Sequence, residues 1–248
     1  HCSHANYGSG DLGDLVRYMK QGVEPYVQAA ADFGFKAFQL NTGYDGLFPT
    51  TESFEGADTA AIRQKLEDSG IELNLHHHGQ NVCPDAFAFA AQKEVYTEFG
   101  AYLEAAIQFM QAVGGSVITF HPPFLDNGLG FEERPMDPDT RAEAIRAFDR
   151  LVRALGERAA AADVLLGIES IVWGPPGRPW TTIFVTPEEL DQFVKAPDFP
   201  DSVGILAEIS HLHHMGFDIG ELLRLWGDKV FEIHASDSVV HQWTDKKH

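Results

Sequence analysis

The chain has 248 residues, 44% hydrophobic and 22% charged, a composition that fits a folded globular protein and excludes a disordered one. Asp and Glu outnumber Lys and Arg by 37 to 18, a formal net charge of −19; with no basic stripe legible, duplex nucleic acid is a disfavoured partner. No apolar run approaches the ~20 residues of a membrane helix, and no basic stretch leads into an apolar one as in a signal peptide.

A partial first strand is expected around residues 2–5, and a full strand over 36–41, Lys-Ala-Phe-Gln-Leu-Asn. Asp58 can cap a helix that carries Ile62 and Leu66 on one face and stops at Gly70. A strand over 71–76 ends in His76, and an Ala- and Phe-rich helical pattern runs over 86–113 to Gly114-Gly115. The strand over 116–121 ends in His121. Residues 138–162 form a helix with Ile145, Phe148, Leu151, Val152 and Leu155 at helical spacing. The strand over 164–169 ends in Glu169, and Thr186-Pro187-Glu188-Glu189 is a capping box. The strand over 203–208 ends in Glu208. Asp218 starts a helix closed by Gly227, and the strand over 230–234 ends in His234.

Strand and helix alternate in units of roughly 25–50 residues, which indicates a parallel sheet with covered faces. A doubly wound sheet would show a Gly-rich phosphate loop after its first strand, and no G-x-G-x-x-G is present. The expectation is therefore α/β, a (β/α)8 TIM barrel forming one domain over 1–248. Its first strand is partial and its eighth absent from the sequence. An open parallel edge is a liability, so the natural polypeptide is expected to continue past both ends, with a Glu closing the added last strand.

Alternation along strands divides their side chains between two faces. If the last polar residue of each strand points inward, the inward set is Gln39, His76, His121, Glu169, Glu208 and His234. The opposite phase is then apolar in every strand, as packing under helices requires. Three imidazoles and two carboxylates converge at the C-terminal strand ends, where barrel enzymes place their sites. This donor set suits zinc, manganese, iron or cobalt. Of the tract His76-His77-His78, alternation sends His77 to the far face. Cys2 and Cys83 form no disulfide framework, so free thiols in a cytoplasmic protein are the expectation.

Further motifs extend the pattern. Glu208-Ile209-Ser210-His211 places a His three positions after the carboxylate, with His213, His214 and Gly216 beyond it, and His234-Ala235-Ser236-Asp237 comes at the end of a later strand. In order and spacing these resemble the xylose-isomerase-like barrel superfamily of sugar phosphate isomerases and epimerases, which also contains endonuclease IV. The resemblance implies that Glu169, Glu208 and His234 hold a divalent metal and that His211 faces the substrate. Glu208 stands where the superfamily has Asp, and the superfamily's final Glu would lie on the absent last strand. Cys2-Ser3-His4-Ala5-Asn6, Ala37-Phe38-Gln39-Leu40 and Phe120-His121-Pro122 resemble the endonuclease branch. In that branch His76, His121, His211, Asp245 and His248 would hold further zinc ions.

The charge balance favours a small polar substrate over DNA. The expected function is metal-dependent isomerisation or epimerisation of a small sugar or keto-polyol through an enediolate. Glu169 and His211 are the expected catalytic residues, and His76, His121, Trp173 and Arg178 are expected to bind substrate. The alternatives are a lyase or dehydratase using the same intermediate, an abasic-site endonuclease, and a barrel without catalysis. No membrane partner is expected, and assembly into a homo-oligomer stays open.

Overall fold

Every apolar run that ends in a polar residue forms a strand. The protein is seen in a computed structural model that describes residues 23–42, 48, 50–77, 89–91, 94–123, 137–170, 182–184, 186–214 and 216–235. The strands are β1 Ala37–Thr42, β2 Glu72–His77, β3 Val117–Phe120, β4 Leu165–Glu169, β5 Val203–Glu208 and β6 Val230–His234. All neighbours pair in parallel, and the order is sequential from β1 to β6. A doubly wound sheet would reverse its strand order at a switch point, and no reversal occurs among these strands.

The sheet curls on itself. Gln39 on β1 donates its side-chain amide to Glu232 on β6 at 2.9 Å, which a flat six-stranded sheet would forbid. The six strands are thus consecutive staves of a (β/α)8 barrel. The expected strand near residues 2–5 lies outside the described residues.

The helices are α1 Glu24–Asp32, α2 Thr51–Glu55, α3 Thr59–Ser69, α4 Glu94–Val113, α5 Pro138–Ala161, α6 Pro187–Val194, α7 Ile209–His214 and α8 Ile219–Trp226. Their ends obey local chemistry. Asp58 accepts from the Ala61 amide and starts α3, and Gly70 ends it with φ of 61°, a left-handed conformation that costs a glycine little. Asp137, Thr186 and Asp218 cap α5, α6 and α8 in the same way. Of the helical pattern expected over 86–113, Phe89 and Ala90 are helical, while 86–88 and 92–93 lie outside the described residues. The chain turns at Ala91, and α4 begins at Glu94.

The core lies between the sheet's outer face and the helices. Leu73, Leu75, Ile118, Phe120, Leu166, Ile168, Ile205 and Ala207 are all buried there, which fixes the phase of β2 to β5. Phe148 of α5 anchors an aromatic cluster, with the rings of Phe89, Phe120, Phe184 and Phe193 centred 5.7–6.4 Å away. β6 departs from the expected covering: Ile233 is 38% exposed. It belongs to the last described strand, whose neighbour on one side only is β5.

Gly156 lets α5 approach β5 closely. A Cβ at this position would lie 2.7 Å from Val203 Cγ2 and 2.8 Å from Pro200 Cβ. Both neighbours are packed, so Gly156→Ala is expected to destabilise the protein by about 1–3 kcal/mol through overpacking. Urea denaturation checks this; an unchanged midpoint would mean that the helix yields freely.

Candidate metal and active site

The inward phase of the strands delivers a layered polar interior. The lower layer holds Gln39, Asn74, Thr119 and Glu232, all buried. The upper layer, at the C-terminal strand ends, holds His76, His121, Glu169, Glu208 and His234, with His211 arriving from the first turn of α7. Register pairs Asn41 with His76, His76 with Thr119, and Glu208 with His234, so the layers run across the paired rows, as strands tilted in a barrel require.

Glu169 is the hub. It is 3% exposed, and three imidazoles surround it. His121 Nε2 lies 2.8 Å and His76 Nε2 3.5 Å from its Oε2, while His211 Nδ1 lies 3.4 Å from Oε1. Burial opposes its ionisation, yet the His121 charge and hydrogen bond, with His76 and His211, hold the carboxyl far below the usual range. Glu169 is therefore an anion that needs positive partners.

Glu208 and His234 form a second pair, with Nδ1 3.1 Å from Oε2. Glu208 also accepts from the Ser210 amide at 3.2 Å and hydroxyl at 2.5 Å, and its own amide donates to Ser170 Oγ at 3.0 Å. Burial again works against the charge, but the His234 and Ser210 hydrogen bonds lower the Glu208 carboxyl. Burial disfavours protonated His234, and the Glu208 bond with the nearby Glu232 and Glu169 charges raises it nonetheless. The two pairs are close: the His76 and His234 rings are centred 5.2 Å apart, and those of His76 and His121 5.4 Å apart.

This donor set fits a divalent cation. Ligand atoms of His76, His121 and Glu169 lie within 4.8 Å of one another, all from buried residues. His234 Nε2 is buried and makes no hydrogen bond among the described residues. Imidazole nitrogen and carboxylate oxygen together are what zinc, manganese, iron and cobalt accept.

Six of the eight sequence-derived site residues thus meet at one end of the barrel: His76, His121, Glu169, Glu208, His211 and His234. Trp173 and Arg178 lie outside the described residues, as do Cys2, Cys83, Asp245 and His248. His77 sits on the opposite face, its ring centred 4.5 Å from Tyr102 and 5.8 Å from Phe99. Sequence reading overlooked Glu232. It lies two residues before His234 and so on the same face, a signal that period-two alternation carried. Burial pushes its carboxyl up, against the pull of His234, Asn74 and Gln39.

Solved structures with this architecture include a D-psicose 3-epimerase crystallised in the presence of D-fructose. It is 16% identical with a TM-score of 0.62, and the match covers 86% of this chain and 66% of that one. A 3-keto-D-glucoside 4-epimerase from E. coli is 12% identical with a TM-score of 0.64, over 88% and 74%. An L-ribulose 3-epimerase is 18% identical with a TM-score of 0.62, over 86% and 63%. This chain spans less of those two 3-epimerases than two thirds of their length. Comparison with curated proteins gave no match. The family model for the xylose isomerase-like TIM barrel matches residues 27–247. With that match over most of its length, and six parallel staves carrying polar residues at their C-terminal ends, the chain belongs to the xylose isomerase-like TIM barrel family.

Proposed function

We propose that this chain catalyses isomerisation or epimerisation of a small keto-sugar or keto-polyol with a divalent cation held by Glu169, Glu208 and His234. The observation that carries the reading is the buried anionic Glu169 ringed by imidazoles beside the Glu208–His234 pair. The sugar epimerases among the structural neighbours support the substrate class.

A cation held by Glu169, Glu208 and His234 would supply Lewis acidity to a bound ketose, which makes the C–H of the carbinol carbon next to the carbonyl more acidic. Glu169, held so strongly ionised, is a weak proton acceptor and a good ligand, so its first role is to bind and orient. His211, three residues past Glu208 and less buried than the strand residues, hydrogen-bonds a substrate oxygen. His76 and His121 line the same mouth, and Trp173 and Arg178, which follow Glu169 in sequence, are further substrate contacts in this reading. The same proton loss serves a lyase or dehydratase, so the reaction class is set by whether a proton returns to the sugar or a leaving group departs from it.

The His76–His121–Glu169 cluster favours a second reading, in which Glu169 is shared with another cation, as in the endonuclease branch. A net charge of −19 opposes duplex DNA. Two measurements decide. Elemental analysis of protein purified without added metal should find at least one divalent transition metal per chain. With Mn²⁺ present, solvent deuterium should enter at least one member of a panel of ketoses, inososes and keto-glycosides. Three metals per chain with incision of an abasic duplex would establish the second reading; no metal and no exchange would remove both.

A further inference from the structure

Thr119 sits one step below His121 on β3, fully buried and facing the barrel interior. Its hydroxyl meets three groups: His76 Nδ1 at 2.9 Å, Gln39 Nε2 at 3.3 Å and the Leu75 carbonyl at 3.3 Å. A hydroxyl has one proton to give and two lone pairs to offer. The Leu75 carbonyl can only accept, so it takes the proton. The Gln39 amide nitrogen can only donate, and it takes one lone pair. Its amide is held that way round by Glu232, whose Oε1 accepts from Gln39 Nε2 at 2.9 Å and from Asn74 Nδ2 at 3.4 Å. The remaining lone pair of Thr119 therefore requires a proton on His76 Nδ1.

A neutral imidazole protonated at Nδ1 carries its lone pair on Nε2. That Nε2 lies 3.5 Å from Glu169 Oε2. In the neutral ring two acceptors face each other there, an arrangement relieved by a proton on Nε2, which makes His76 a cationic partner of Glu169, or by a divalent cation that replaces that proton. The rotamer of Thr119 is fixed as well. Gly167 is its register partner on β4, and a Cβ on Gly167 would come 2.8 Å from the Thr119 methyl. The methyl fills the glycine's gap on one side and leaves the hydroxyl on the β2 side, against His76.

We propose that Thr119 is a positioning residue that holds His76 in the Nδ1–H tautomer, so that the Nε2 lone pair is presented to a divalent cation at Glu169. The proposal rests on the metal-dependent reading above, with His76 taken as a cation ligand as in the His76–His121–Glu169 cluster; what it adds is the role of Thr119. Gln39, Asn74 and Glu232 act through Thr119, as outer partners that fix ligand orientation.

The tautomer is read directly, without metal, from long-range ¹⁵N–¹H correlation spectra of histidine-labelled wild-type protein. His76 is identified by the signals missing in His76→Gln. A protonated Nδ1 is expected; a bare Nδ1 with the proton on Nε2 alone would overturn the proposal. Zn²⁺ titration calorimetry gives the second readout. Thr119→Val keeps the shape and removes the hydroxyl, and should weaken Zn²⁺ binding by roughly 10- to 100-fold. Thr119→Ser restores the hydroxyl and should recover most of the affinity. Wild-type affinity in Thr119→Val would overturn the positioning role while leaving the metal reading intact. A wild-type protein that binds no Zn²⁺, Mn²⁺ or Co²⁺ would instead overturn the metal reading on which the proposal rests. If the valine variant does not fold, the wild-type spectrum alone decides the tautomer.

Discussion

Glu169→Gln is expected to lower kcat on any keto-sugar that shows exchange by roughly 10²- to 10⁴-fold. The substitution is nearly isosteric, so the shape of the barrel mouth is kept. It removes the charge that His76, His121 and His211 converge on, and an amide is a poor ligand for a hard or borderline cation. The amide also turns donor hydrogens toward groups that now face a carboxylate. Circular dichroism should show an intact fold, while elemental analysis should show metal lost or greatly reduced. Wild-type turnover in this variant would take Glu169 out of the mechanism. Glu208→Asp should behave differently. It shortens the arm by one methylene and restores the residue that the superfamily uses, so metal is retained. Complete loss of metal would show that this site is built around the longer reach of Glu208 to His234.

Much of this architecture was legible because two independent signals agreed in each strand. Phe38 and Leu40, Leu73 and Leu75, or Ile118 and Phe120 mark the outer face, and the polar terminal residue marks the inner one. One-residue slips would have put apolar groups in the polar interior, so the phase was overdetermined. The pairing within the site was not legible. Which imidazoles lean on Glu169 and which on Glu208 depends on the stagger and curl of the sheet, and neither is written in a local pattern. His121, His76 and His211 went to Glu169, and His234 to Glu208. Glu232 was overlooked because only the last polar residue of each strand was taken as a marker. Thr119 carried no signal, since threonine is ordinary in a strand; its role comes from Gly167 and His76 on the two neighbouring strands. Phe89, helical itself, packs beside Phe99 of α4 and Phe148 of α5 and so joins the aromatic cluster of the long helices.

Cation affinity is expected to tighten by roughly tenfold per pH unit from about pH 6 up to the pKa of His234 in the metal-free protein. His234 is the reason. Burial favours its neutral form, but the Glu208 hydrogen bond and the surrounding carboxylates raise its pKa above the ordinary imidazole value. A cation that takes His234 as ligand must displace this proton, so acid competes with metal. Without metal the signs run in two directions. The raised His234 contributes stability that is full below its unfolded pKa, near 6.5, and is lost as pH rises through its folded value. Glu169 and Glu208, both lowered, contribute stability that is full above about 4.5 and is lost as pH falls through their folded values. The metal-free protein should therefore weaken at both ends, while the cation adds more at higher pH. Melting temperatures with and without saturating Mn²⁺ at pH 6 and pH 8 test this. The cation-induced rise should be clearly larger at pH 8, because stabilisation depends on the ratio of free cation to its dissociation constant. An equal rise at both pH values would mean that binding displaces no imidazole proton, and His234 would then not be a ligand.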